Sequence, residues 1–227
     1  MNRIITSQVV DLTRPITNGM EAHITTSVVP LLRIGEASGR FDPPCEGFAA
    51  NVLVMSDHCG THLDAPSHFI RDGAGVDEIS VANLVLPAVV LDLSECQGRL
   101  VQTQDLEAAV AALGTPPRAG EAVLLNTRHS DGTGRGLDRG AAEWLVATGV
   151  VAVGTDHMGI DDPGTRDSAA HMVLLGAGIP IVENLTDVET IRGRRFLFIA
   201  LPLRIEGGTG SPVRAVAVLE NLLEERV

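Results

Sequence analysis

Apolar runs typical of buried strands alternate with amphipathic segments through the middle of the chain. Because strands that alternate with helices form parallel or mixed sheets, this pattern predicts a sheet with helices on its faces. The strand-like runs are Val85–Leu93, Glu121–Leu125, Val150–Val153 and Ile179–Val182, and the helix-like segments are Asp105–Leu113, Arg139–Thr148 and Ala169–Leu175.

Polar residues and a glycine mark the ends of two of these helices. Asp138 stands before Arg139–Thr148 as its N-cap, and Gly149 follows at a position where helices often end. Ser168 is the corresponding N-cap candidate of Ala169–Leu175. These residues predict where both helices begin.

The two ends of the chain carry short β-prone runs rather than helix patterns. A glycine-rich segment, Gly207–Pro212, joins the last two runs, and we expect it to be a structural turn that brings backbone near a functional site. The chain therefore predicts an α/β fold with a mixed sheet and extra β elements, in a single domain spanning residues 1–227. The terminal runs are Val9–Leu12, Val28–Ile34, Ala49–Met55, Phe196–Leu203 and Val213–Leu219.

The composition excludes several classes of function. The 227 residues include neither lysine nor tyrosine, which removes a Walker A phosphate loop, a Schiff base and a Ser-Lys dyad. A net charge of −12 repels nucleic-acid backbones, and five Phe with one Trp are too few for base-stacking surfaces. Nucleic acid is therefore an unfavourable partner, and a small-molecule substrate is the expected one.

Cysteine usage and hydropathy bear on the location of the protein. The three cysteines are widely spaced and form no CxxC pair, and the first residues show no secretory leader pattern. The apolar runs all fall short of the roughly 18 residues that a membrane-spanning helix needs. We therefore expect a cytoplasmic protein that has no contact with a membrane.

The strongest chemical signal is the segment Ser56–Phe69, which holds three of the seven histidines. A straight strand would separate His58 from His62 by roughly 13 Å, too far for two ligands of one metal ion. We therefore expect the chain to bend at Cys59–Gly60. Four side chains of this segment occupy even positions, which share one face of an extended chain, namely His58, His62, Asp64 and His68.

The bent segment supplies the ligand set of a catalytic metal ion. Two histidines and one carboxylate with an open coordination position serve Zn, Mn and Fe in enzymes. We assign His58, His62 and Asp64 to that role, and His68 to acid–base chemistry beside the metal. The alternative is a polar loop whose histidines only satisfy hydrogen bonds in the core.

The run H-x-G-T-H-x-D-A-P-x-H, which extends from His58 to His68, resembles the signature of the metal-dependent cyclase family. That family includes the bacterial arylformamidases, or kynurenine formamidases, and the isatin hydrolases. The segments Val9–Met20, His171–Leu185 and Leu201–Val218 are also similar to it. The resemblance implies a swivelling β/β/α-type fold and a homodimer or homotetramer.

The resemblance also implies roles for individual residues. His58, His62 and Asp64 match the ligands of a first metal ion, and His68 matches the catalytic histidine. The implied reaction is hydrolysis of a small amide at a C–N bond other than a peptide bond, in which a metal-bound hydroxide attacks the carbonyl and His68 transfers protons. Alternatives are an isatin-hydrolase-like cyclic amide or lactone hydrolase, a polyketide-type cyclase or dehydratase, and a metal-dependent binding protein without catalysis.

A second metal site is implied by residues far along the chain. His171 and Glu183 match the family's ligands for it, with Asp64 bridging the two ions. The presence of Glu183 favours two Zn²⁺ ions per chain, and Mn²⁺ is possible because the isatin-hydrolase branch is associated with one manganese ion. His23 stands where the family often carries an aromatic substrate-facing residue, and Phe48 is a candidate for the wall of the substrate pocket.

Overall fold

A nine-stranded mixed sheet forms the body of the protein in this computed structural model, which describes residues 8–36, 40–96, 98, 100–127 and 135–219. Two ribbons of two strands each and three α-helices accompany the sheet within those ranges. The strands are β1 (Gln8–Asp11), β2 (Ser27–Leu32), β3 (Ala50–Val54), β4 (His62–Asp64), β5 (Val85–Asp92), β6 (Leu100–Val101), β7 (Ala122–Asn126), β8 (Gly136–Leu137), β9 (Ala152–Thr155), β10 (Ile181–Glu183), β11 (Phe196–Ile199), β12 (Gly210–Pro212) and β13 (Val216–Leu219), and the helices are α1 (Thr103–Leu113), α2 (Arg139–Thr148) and α3 (Ala169–Gly176).

The strands of the large sheet follow the order β1-β13-β11-β5-β7-β9-β10-β4-β12. The central strands β5, β7, β9 and β10 run parallel, because each is joined to the next through one of the three helices. The strands on both flanks pair antiparallel. The predicted mixed α/β architecture is therefore confirmed, and the helices lie where the alternating pattern indicated.

Burial on both faces explains why the central strands are so apolar. Every residue of β7 is buried, and successive side chains point to opposite faces. Val123 and Leu125 belong to the apolar cluster that includes the helices, whereas Leu124 packs with Phe198 and Leu63 on the other side. The sheet thus separates two cores, and β4 contributes to the second of them.

The helix ends show one confirmed cap and one wrong prediction. The carboxylate of Asp138 accepts a hydrogen bond from Ala141 N at 2.8 Å, as an N-cap should. Ser168 was expected to cap α3, but its side chain makes no capping hydrogen bond. Asp161 takes that place, since its carboxylate accepts from Ala170 N at 2.7 Å. A negative charge from the preceding loop suits the positive end of the helix better than a hydroxyl does.

The glycine-rich segment forms a strand as well as a turn. Gly210–Pro212 is β12, which pairs antiparallel with β4 and forms that edge of the sheet. The predicted strand Phe196–Leu203 accordingly ends at Ile199, and Val213–Leu219 begins its ladder at Val216. The backbone of this segment therefore lies directly beside the histidine-rich motif.

Among the helices of the described ranges, none has the length and hydropathy that crossing a bilayer requires.

Close packing at Gly154 yields a test of the fold. A Cβ atom at this position of β9 would lie 2.5 Å from Leu124 Cδ2 and 2.8 Å from Leu185 Cδ1. Because overpacking a core is destabilising, Gly154→Ala should lower the free energy of unfolding by about 1–3 kcal/mol in urea titrations. Gly176→Ala is the matched control, since its Cβ meets only Ile70 Cδ1 at 3.7 Å. Equal stability of the two variants would contradict this packing.

Candidate metal centre

Six side chains from three distant parts of the chain meet at the end of β4 and β10. The chain bends at Gly60, whose φ of +65° lies in the left-handed region, and this turns the preceding histidine back toward β4. In the pairing of β10 with β4, Glu183 lies opposite His62. His171 comes from the first turn of α3. The six are His58, His62, Asp64, His68, His171 and Glu183.

Asp64 lies at the centre of the cluster and is 1% exposed. Its Oδ1 atom is 2.6 Å from His58 Nδ1 and 3.3 Å from His62 Nε2. Its Oδ2 atom is 3.4 Å from His171 Nε2. One carboxylate therefore faces three imidazoles, which is the arrangement that a bridging ligand needs.

Glu183 provides a second buried carboxylate to the same imidazoles. Its Oε2 atom is 3.6 Å from His62 Nε2, and its Oε1 atom is 3.4 Å from His171 Nε2. The backbone N–H of Ile160 donates to Oε1 at 2.7 Å and fixes the side chain. The residues predicted for the second metal site thus lie within reach of Asp64.

In two of the imidazoles, the ring nitrogen that points away from Asp64 carries the hydrogen and donates it to another group. His62 Nδ1 lies 2.9 Å from the carbonyl of Gly60, which can only accept, so this nitrogen carries the hydrogen. His171 Nδ1 lies 2.5 Å from the carboxylate of Asp161 and donates to it. In the neutral imidazoles, both Nε2 atoms therefore present lone pairs to Asp64 and Glu183.

His58 is held in the opposite orientation by a hydroxyl relay. The hydroxyl of Thr209 donates its one hydrogen to Asp57 Oδ2 at 2.9 Å. It must therefore accept from His58 Nε2, which lies 3.0 Å away. This leaves Nδ1 as the nitrogen that faces Asp64. The relay also depends on Gly210, because a Cβ there would lie 2.5 Å from His58 Cε1.

Lone pairs that face buried carboxylates repel them unless positive charge lies between. Burial disfavours a charged His62, yet its hydrogen bond to Asp64 raises the pKa to about 9. For His171, the nearby carboxylates of Asp161, Asp64 and Glu183 likewise outweigh burial and raise the pKa to about 11. Burial would raise the pKa of Asp64, but its imidazole neighbours hold it well below the usual value. Positive charge between the imidazoles and the carboxylates, supplied by protons or by a metal ion, is therefore favoured.

A divalent metal ion fits this donor set. Asp64 Oδ2 is buried and has no hydrogen-bond partner, so an acceptor atom is left for a ligand. Two groups of potential ligand atoms, each within 4.8 Å, share Asp64. Imidazole and carboxylate donors suit Zn, Mn and Fe. The groups are His62, Asp64 and Glu183, and His58, Asp64 and His68.

His68 packs directly against His58, one of the side chains that face Asp64. Its ring stacks on His58 with centroids 3.9 Å apart and an interplanar angle of 27°. Burial outweighs the attraction of Asp64 and lowers the pKa of His68 to about 4. The imidazole is therefore neutral near pH 7, which is the form that a general base must have before it acts. His68 also belongs to one of the two groups of potential ligands, so its position allows a ligand role as well.

An open cavity of about 590 Å³ leads to the cluster. His23 lines it, with its ring centroid 5.6 Å from that of His58. Phe48 lies elsewhere, since it is exposed and packs edge-on against Phe41 with centroids 6.2 Å apart. Phe69 provides the aromatic wall instead, stacked on His171 at 4.3 Å.

Three residues that hold the imidazoles were not found by sequence reasoning. Asp57 was visible in the motif without a role, and Thr209 was part of a segment interpreted as a turn. Asp161 follows a buried strand in a loop that sequence periodicity does not describe. Their only sequence signal is a polar side chain near a glycine or a strand end, which many surface residues share.

The comparison with protein families agrees with this geometry. The family model described as "Putative cyclase" matches residues 10–162, a stretch that contains the histidine motif. The chain belongs to this cyclase family. His171 and Glu183 lie beyond the matched stretch, so the family model does not bear on these two residues.

Individual relatives and solved structures resemble the chain over most of its length. The kynurenine formamidase of Sphingopyxis alaskensis is 33% identical over 181 residues, which cover 75% of this chain and 82% of that protein. Isatin hydrolase A from Ralstonia solanacearum is 26% identical with a TM-score of 0.79, covering 94% and 92% of the two chains. A predicted metal-dependent hydrolase from Bacillus stearothermophilus is 25% identical with a TM-score of 0.74, covering 94% and 98%.

The hydroxyl relay gives a direct test of the cluster. Thr209→Val removes the acceptor of His58 Nε2–H while keeping the shape of the side chain. Because outer hydrogen bonds fix a ligand's tautomer, the affinity for Zn²⁺ should fall about 10- to 100-fold in a chelator competition assay. Thr209→Ser keeps the hydroxyl and should bind like the wild type. Unchanged affinity in Thr209→Val would show that the relay does not hold the ligand.

Proposed function

We propose that the protein is a metal-dependent hydrolase of small amides that cleaves a C–N bond other than a peptide bond, in the manner of an arylformamidase. The observation that carries this proposal is the buried Asp64, faced by three imidazoles whose outer nitrogens are all held by other groups. Kynurenine formamidases are 33% identical relatives of the chain, which supports the same class of reaction.

The metal-binding residues are proposed to be the five that surround and include Asp64. We favour two Zn²⁺ ions per chain, because Asp64 faces three imidazoles and Glu183 faces two of them, and Mn²⁺ is compatible with the same donors. A divalent cation bound here would polarise a carbonyl oxygen and lower the pKa of a coordinated water. The proposed ligands are His58, His62, Asp64, His171 and Glu183.

His68 is proposed as the group that moves protons. Its ring lies over His58 and borders the cavity, so a substrate carbonyl that reaches the cluster also reaches this imidazole. A neutral imidazole there accepts a proton from the attacking water and returns it to the leaving nitrogen. Phe69 packs edge-on against His68 and stacks on His171. His23 is proposed to contact the substrate from the opposite wall, whereas the position of Phe48 gives no support for its predicted role.

Removing His68 separates the catalytic role from a ligand role. His68→Ala should lower kcat for a formanilide about 10²- to 10⁴-fold, the usual contribution of a positioned acid–base group. The metal content, measured by elemental analysis, should stay that of the wild type. Exhaustive chelation of the wild-type protein supplies the metal-free baseline. Loss of metal from His68→Ala would instead make this residue a ligand.

A cyclic amide or lactone is the second candidate substrate. The structural similarity to isatin hydrolase A extends over 94% of this chain, which favours a related cavity. Proton release, measured with a panel of formanilides, cyclic amides and lactones, distinguishes the two candidate substrate classes. Preferred hydrolysis of the cyclic amides or lactones to ring-opened acids, together with about one metal per chain, would favour this second candidate.

The ribbon of β2 and β3 supports a homodimeric assembly. Both faces of a two-stranded ribbon carry exposed apolar side chains, and monomers seldom expose large contiguous patches of this kind. We propose that a second copy covers the ribbon, with a homotetramer as the next larger assembly. The exposed residues are Val29, Leu31, Val52, Leu53 and Val54.

Charged substitutions on the ribbon test this assembly. Leu31→Arg combined with Leu53→Arg places two like charges on the apolar surface and should convert a dimer to a monomer in light scattering. Arg118→Gln, at an exposed position outside the ribbon, is the control and should stay dimeric. A wild-type chain that is already monomeric at micromolar concentration would contradict the proposal.

A reducing location is consistent with the cysteines. Cys45, Cys59 and Cys96 are all free thiols, and unpaired cysteines are usual in the cytoplasm. We propose that the protein acts there on a small molecule.

A further inference from the structure

Arg14 is anchored beside two of the proposed metal ligands. Its backbone N–H donates to Thr61 Oγ1 at 2.9 Å, and that hydroxyl donates to the carbonyl of Asn184 at 2.6 Å. Thr61 precedes His62, and Asn184 follows Glu183. The Arg14 side chain lines the same cavity as both ligands. Its place is therefore fixed by the strands that carry the candidate metal centre.

The guanidinium of Arg14 has an unused donor. Its Nε atom is buried and has no hydrogen-bond partner among the described residues. Three other arginines each bond a carboxylate, which shows what this side chain does elsewhere in the fold. They are Arg192 with Asp92, Arg195 with Glu121, and Arg214 with Asp11. A buried donor without an acceptor is costly, so a ligand that supplies an acceptor is favoured at Arg14.

No carboxylate of the described chain neutralises Arg14. Glu21 also lines the cavity, but it is exposed and accepts from Thr25 Oγ1 at 3.3 Å, and no ion pair joins it to Arg14 within the described residues. Because the chain contains no lysine, Arg14 is also the one lysine or arginine among the described residues that line this cavity. Arg14 therefore offers a permanent positive charge in the cavity that leads to the candidate metal centre.

We propose that Arg14 forms a carboxylate subsite, so that the preferred substrate is a small amide that carries a carboxylate group. The planar guanidinium presents parallel N–H donors that match the two oxygens of a carboxylate. The amide lies toward the imidazoles of the candidate metal centre and the carboxylate toward Arg14, since His62, His171 and Arg14 line one cavity of about 590 Å³. This inference rests on the proposed amide hydrolysis, which it makes more specific.

The kinetic test compares carboxylated and neutral forms of one substrate. Formanilides that carry a ring carboxylate at the ortho, meta or para position are each paired with their methyl ester. For at least one position, wild-type kcat/KM should be about 10- to 100-fold higher for the acid than for the ester, as expected for hydrogen bonds to a charged group. In Arg14→Gln this ratio should fall to about one, mainly through KM.

Two further variants complete this comparison. Arg14→Lys keeps the charge but loses the paired donors, so it should give an intermediate ratio. Arg204→Gln removes an exposed arginine that does not line this cavity and should keep the wild-type ratio. Thermal unfolding of each variant identifies any loss of fold. An acid-to-ester ratio near one in the wild type, or one that Arg14→Gln leaves unchanged, would overturn the carboxylate subsite.

A binding measurement decides the question even if no amide is hydrolysed. Aminobenzoates and their methyl esters are titrated by calorimetry into Zn²⁺-loaded wild type and Arg14→Gln. The acids should bind the wild type about 10- to 100-fold more tightly than the esters, and Arg14→Gln should abolish the difference. Equal binding of the acids to both proteins would place the carboxylate on the metal and overturn the subsite. Absence of turnover with intact acid selectivity would refute the hydrolase alone.

Discussion

The structure depends on the burial of one carboxylate, that of Asp64. It lies on a three-residue strand between β10 and β12, where water cannot solvate its charge. A buried carboxylate is tolerated only where positive charge or hydrogen bonds surround it. Imidazoles from the bend, from β4 and from α3 fulfil this condition when they are protonated or when a cation lies between them and the carboxylate, so the same position suits a divalent cation. The electrostatic requirement of the fold and the chemistry of the site are therefore one constraint.

The two-residue period of β4 reconciles this charged site with an apolar core. Leu63 points into the core that contains Leu124 and Phe198, while His62 and Asp64 point to the opposite face. Pairing with β10 and β12 satisfies the backbone of all three residues. A helix could not divide adjacent residues in this way, because its side chains turn gradually around the axis. The strand therefore holds two charged groups rigidly at the edge of a packed core.

Sequence reasoning found the parts of the site that are local in the chain. The spacing of His58, His62 and Asp64 carries geometric information because these residues belong to one bent segment. The hydrogen-bond partners of those residues could not be predicted from the sequence, since Thr209 lies 151 positions from His58 in the chain. The wrong cap at Ser168 has the same cause: a carboxylate from the loop before it, Asp161, competes for the helix end. The folded sheet determines which distant acceptor reaches each residue, and the spacing of residues along the chain does not reveal it.

The three imidazoles are held by acceptors of different strength, and this makes the two sides of Asp64 chemically unequal. His171 donates to a carboxylate, His62 to a backbone carbonyl, and His58 to a hydroxyl that itself donates to Asp57. A charged acceptor increases the basicity of the ligating nitrogen more than a neutral one does. Of the three imidazoles, His171 therefore has the most basic inward-facing nitrogen. That nitrogen lies beside Asp64 Oδ2, the oxygen without a hydrogen-bond partner. A divalent cation held by His171, Glu183 and this oxygen would be bound more firmly than one on the His58 side, so the more weakly binding side of Asp64 would be the one next to His68.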